Sequence, residues 1–106
     1  RGWLRTKAQP NINQPMKLYL ITQDVNTNYD TFDSAVVVAS CEADARLIHP
    51  SPYYESVEGE WCEVLNMKPI GGNGCWCAAK DVKVKLIGEA TGQKAGSVIC
   101  ASYNAG

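Results

Sequence analysis

The residues of this chain with most to offer chemically are its single histidine, His49, and its five cysteines, Cys41, Cys62, Cys75, Cys77 and Cys100. A thiolate nucleophile needs a base beside it, and His49 would have to serve whichever cysteine took that role. His49, Cys62, Cys75 and Cys77 also supply four zinc-type ligands. Structural zinc sites usually space paired ligands two to four residues apart, and Cys75-x-Cys77 is tighter than that. Were 75–77 a strand, the two Cα atoms would stand about 6.5 Å apart, near the far limit for a disulfide. An odd number of cysteines with no secretion-type leader favours free thiols. Free cysteine behaves as a small hydrophobe, so packing is the plainer role for these residues. His49 falls at the end of an expected helix, where a cationic imidazole suits the helix dipole and caps a carbonyl.

The oxygen-bearing residues give less. Asp24, Asn26, Asn28 and Asp30 alternate as calcium ligands would. An EF-hand loop counted from Asp24 requires Gly where Tyr29 stands and Glu where Ala35 stands. A turn whose Asp and Asn side chains bond their own backbone explains the composition better. Asp24, Asp30 and Asp33 near one hairpin end could pair as hydrolytic carboxylates, but turns normally collect such residues. Gly71-Gly72-Asn73-Gly74 is followed by Cys75 and Trp76 and not by Lys-Ser or Lys-Thr, so it is no phosphate loop. Lys80, Lys83 and Lys85 read as edge-strand lysines that block unwanted sheet pairing. No catalytic residue, metal site or cofactor is therefore assigned from sequence.

One cluster stands above this background. Tyr53, Tyr54, Trp61 and Trp76 gather in a segment with no clear periodicity. Large rings there either cover the core or, exposed together, form a binding face for a partner protein or a small apolar ligand. These four are the candidate binding residues.

The elements that would position them can be read in outline. At 106 residues, 45% hydrophobic and 20% charged, the chain has room for one domain of ordinary composition. Its net charge of -1 argues against nucleic acid as a partner. No apolar stretch is long enough to span a membrane, and a cytoplasmic location is expected. Residues 1–15, rich in Gln, Asn and Pro, read as an extension anchored at most by Trp3; 16–106 reads as the domain. Strands are expected over 17–23, 35–39, 82–87 and 97–103. The run 35–39 is apolar on both faces and so belongs inside the sheet. Ser40 is the expected N-cap of a short helix with Cys41, Ala45 and Ile48 on one face, ended by Pro50. A thirty-residue structureless loop would be unusual, so 61–65 and 75–77 are expected to pair across Gly71–Gly74. The result is an α+β fold of order β-β-α-(β-β)-β-β: an antiparallel sheet of four to six strands with one helix packed on a face.

Several stretches carry a resemblance. Met16 to Asp24, Tyr29-Asp30-Thr31-Phe32-Asp33-Ser34-Ala35-Val36-Val37, Ala45-Arg46, His49-Pro50 and the ending Val98 to Gly106 resemble small uncharacterised proteins of phages, prophages and other mobile elements. Ala8-Gln9-Pro10-Asn11-Ile12-Asn13 resembles translated recombination-site sequence ahead of an integron gene cassette. The resemblance implies a mobile-element setting and no activity. The expected function is a non-enzymatic binding or interaction protein, self-associating or holding a partner. The alternative is a small enzyme using a cysteine thiolate with His49, or the Asp-rich turn.

Overall fold

The computed structural model describes residues 15–72 and 74–104; the 1–15 extension, Trp3 included, falls almost wholly outside them. The elements follow in the expected order: β1 (Lys17–Thr22), β2 (Thr31–Ala39), α1 (Glu42–Ala45), β3 (Tyr54–Val57), β4 (Glu60–Glu63), β5 (Lys83–Glu89) and β6 (Val98–Asn104). Four strands form one antiparallel sheet in the order β5-β1-β2-β6, and β3 pairs with β4 as a separate hairpin. No described helix is long and apolar enough to cross a membrane.

The doubly apolar run 35–39 does lie inside the sheet, between β1 and β6. Register pairs Tyr19 with Val37 and Ile21 with Ala35. Because directly opposed residues share a face, these four line one side, and Ala45, Trp61, Trp76, Cys77 and Val82 close over it. Ile21 and Val37 are fully buried, each contributing about 1.5–3 kcal/mol relative to exposure. The lysines Lys83 and Lys85 are exposed on β5, an edge strand.

β2 starts earlier than its apolar run, because Thr31, Phe32 and Ser34 pair with Asn104, Tyr103 and Ser102 of β6. The ladder is irregular at Asp33, between Phe32 and Ser34. Polar residues suit such a half-wet strand, and its partner lies seventy residues away in the chain.

Three expectations are corrected. Ser40 does not cap the helix: Cys41 is the N-cap, with no side-chain bond, and the Ser40 hydroxyl lies 3.3 Å from Asp44 Oδ2. The helix also stops at Ala45, well before Pro50, as Leu47 and Ile48 bond back three residues to Asp44 and Ala45 and tighten the turn. Arg46 then ties the helix to the Ala79–Asp81 3-10 turn and to Val82, just ahead of β5, its guanidinium donating to the carbonyls of Ala79 and Val82. Thirdly, the extra hairpin is Tyr54–Val57 with Glu60–Glu63, not 61–65 with 75–77. Its two-residue turn, Glu58-Gly59, holds both residues at positive φ (50° and 85°). That is the turn geometry whose twist matches antiparallel strands.

Residues 75–77 form no strand. They are strapped down by the Phe32 N–H to the Cys75 carbonyl (2.8 Å), by Asn26 Nδ2 to the carbonyls of Gly74 (2.8 Å) and Trp76 (3.0 Å), and by the Trp61 indole N–H to the Cys77 carbonyl (2.7 Å).

Candidate functional site

The connection from α1 to β3 runs through His49-Pro50-Ser51-Pro52. Proline on either side restricts the backbone to extended forms and withholds two donors. Ser51 is buried; its N–H donates to His49 Nδ1 (2.9 Å), and its hydroxyl accepts from the Tyr53 N–H (3.2 Å). With Nδ1 accepting, the imidazole proton resides on Nε2. Four aromatic rings surround the imidazole: Tyr54 at 4.8 Å, Trp61 at 5.0 Å and perpendicular, Trp76 at 6.3 Å, and Phe32 at 6.5 Å. Burial pushes the His49 pKa down from 6.5 to about 4, so the ring is neutral at pH 7. His49 Nε2 and Trp76 Nε1 are the buried side-chain nitrogens, among the described residues, that have no hydrogen-bond partner. This corrects the expectation of a cationic, helix-capping histidine. His49 lies beyond the helix, and an apolar cage disfavours its charge.

Two grooves adjoin this cage. The larger, of about 680 Å³, runs along His49–Pro52 to Tyr54 and Glu55, with Val98 on its far wall. The smaller, of about 410 Å³, is lined by Pro52, Tyr53, Tyr54, Glu63, Val64 and Leu65. Pro52, Tyr54 and Val64 are common to both and form the ridge between them. The volumes fall in the range of small-molecule and side-chain pockets. Tyr54 and Glu63 are opposed in the hairpin and so share a face. The Val64 N–H donates to the Tyr53 carbonyl (2.9 Å), which fixes the lip of the smaller groove.

The four aromatics expected to act together are divided between two roles. Trp61 and Trp76 are buried and belong to the core, while Tyr53 is exposed and Tyr54 half-buried on the groove walls. Val64 and Leu65 complete the surface; in the sequence they read as the end of the strand expected over 61–65 and not as binding residues. Their only signal is that apolar residues stand beside Asn66, in a turn that needs none.

No family model, curated protein or solved structure matches the chain. The functional reading rests on the grooves and on the remaining reactive groups.

Burial disfavours the thiolate at three of the five cysteines. Burial pushes the Cys62, Cys75 and Cys77 thiols up, Cys77 to about 11, with carboxylates adding to the effect at Cys62 (Glu60, Glu55) and Cys77 (Asp81, Asp24). Cys41 and Cys100 are exposed. No set of three or more His, Cys, Asp or Glu among the described residues is placed to hold a metal ion. In the Asp-rich turn, Asp24 pairs with Lys83 (2.9 Å), whose hydrogen bond and charge hold the carboxyl below its usual range. The turn's architecture depends instead on buried Gln23. Its amide donates to the Asn26 and Phe32 carbonyls (2.8 Å each) and accepts from the N–H groups of Val25 (3.0 Å) and Asn26 (2.8 Å).

Proposed function

We propose that this chain is a non-catalytic binding protein that holds a partner protein or a small apolar ligand in the double groove beside the β3–β4 hairpin. The carrying observation is the exposed apolar rim around the smaller groove: Leu65 is 94% and Tyr53 74% exposed, with Val64 and Met67 about half exposed beside them in sequence. Leaving a leucine in water forgoes about 1.5–3 kcal/mol that a covering surface would recover. Tyrosines beside a cleft are what interface centres present. The raised thiol pKa values and the committed Nδ1 of His49 weigh against the enzymatic alternative. Five free cysteines suit a reducing, cytoplasmic compartment. The sequence resemblance to phage and integron-cassette proteins supports a mobile-element origin.

A neutral apolar dye such as Nile red tests the reading. Its fluorescence is expected to rise with the native protein and to fall back when Val64→Asp and Leu65→Asp are combined, with the urea midpoint unchanged. An undiminished signal in that variant would remove the groove from consideration.

A further inference from the structure

The hairpin that walls the grooves is charged in one sense only. Between Tyr53 and Met67 the chain carries Glu55, Glu58, Glu60 and Glu63 and no Lys or Arg. Lys68 follows at once, its carbonyl accepting from the Glu63 N–H (2.9 Å), but its ammonium forms no ion pair among the described residues. The ion pairs formed among the described residues are Lys80–Asp81 and Lys83–Asp24, and none of these four carboxylates takes part in one there. Two of them enter the grooves: Glu63 lines the smaller one and Glu55 the larger. Glu63 is directly opposite Tyr54 on the hairpin, so the two side chains leave the same face, and both line the smaller groove with Tyr53 and Pro52.

Aromatic faces with an adjacent carboxylate are complementary to a guanidinium or ammonium group on an aliphatic stem. The ring quadrupole attracts the cation, the carboxylate accepts its hydrogen bonds, and the stem covers apolar surface. An anionic or purely aliphatic occupant would leave Glu63 facing like charge or stripped of water, each unfavourable.

From this charge complementarity we infer that the occupant is a basic, apolar-flanked segment of a partner protein. One Lys or Arg side chain enters between Tyr53, Tyr54 and Glu63, and neighbouring aliphatic side chains lie over Val64 and Leu65. The inference rests on the groove being the binding surface and adds the chemistry of what binds. The field of four unpaired carboxylates speeds encounter with such a segment and makes binding salt-dependent. His49 lines the larger groove, and its buried Nε2–H has no acceptor among the described residues.

The test uses short labelled peptides alternating Leu with Arg, Gln or Glu, titrated into the intact protein by fluorescence anisotropy and by amide chemical shifts. The Arg peptide is expected to bind, with shifts gathered at Tyr53, Tyr54 and Glu63 to Leu65. Glu55→Gln with Glu63→Gln should weaken it by about five- to tenfold, leave the unfolding midpoint unchanged and reduce the salt dependence. Equal or tighter binding of the Gln or Glu peptide at these residues would overturn the basic partner while leaving the binding reading intact. Binding of none, with the dye signal still present, would do the same; loss of both would remove both. Concentration-dependent self-association abolished by Lys83→Glu with Lys85→Glu would make the occupant a second copy, through its exposed β5 edge, and would also overturn the inference.

Discussion

The indole N–H of Trp61 donates to the carbonyl of Cys77 at 2.7 Å, joining the β3–β4 hairpin to the irregular segment that carries Trp76. Trp76 is more deeply buried, yet its own N–H has no hydrogen-bond partner among the described residues. The two tryptophans therefore differ in what phenylalanine would remove. Trp61→Phe leaves the Cys77 carbonyl without its donor, about 1–3 kcal/mol in addition to lost packing. Trp76→Phe loses packing alone. Urea denaturation should show Trp61→Phe to be the more destabilising; the reverse order would contradict this account.

His49 makes stability depend on pH. Unfolded, it titrates near 6.5; in its ring cage the pKa falls to about 4. Between those values the unfolded chain binds the extra proton, so the contribution is fully present above pH 6.5 and is lost as pH falls towards 4. The slope reaches about 1.4 kcal/mol per pH unit and the total is on the order of 3 kcal/mol. Urea midpoints compared at pH 7 and pH 5 should fall for the native protein and change less for His49→Gln.

The legible part of this fold is the part written in local periodicity. The alternation in 17–23 and the doubly apolar run 35–39 announce a central pair of strands, and Lys83 and Lys85 announce an edge, whereas Lys80, read with them, falls in the 3-10 turn before it. The hairpin is hidden in the sequence because Gly71-Gly72-Asn73-Gly74 is a louder turn signal than Glu58-Gly59, which makes the actual two-residue turn. Pro50 reads as the helix terminator and so sets His49 at a helix end. The helix instead closes after a single turn, since only Ala45 of its residues is buried. The tyrosine half of the site was visible as composition, whereas Val64 and Leu65 become meaningful only once the hairpin sets them beside Tyr53.

Asn26 links the first loop to the 74–77 segment through two carbonyls. Asn26→Ala should cost about 1–2 kcal/mol. It should also speed amide exchange at Phe32, whose N–H bonds the Cys75 carbonyl. An unchanged exchange rate would mean that the strap is not needed to hold the segment.

The thiols should separate by burial. Cys41 and Cys100 are exposed, and Cys62 and Cys77 buried. Mass spectrometry after brief iodoacetamide treatment at pH 7.5 should find the first pair labelled, and the second pair modified only after denaturation. Fast native labelling of Cys77 would revive the thiol-enzyme alternative.

The central claim, that the double groove is where this protein binds, is tested most directly by titrating isotope-labelled protein with the neutral probes phenol and indole while recording amide shifts. The account expects the shifts to converge on His49, Ser51, Tyr53, Tyr54, Val64 and Leu65, and to vanish there in the Val64→Asp, Leu65→Asp variant. Shifts centred elsewhere, or unaffected by that variant, would contradict it.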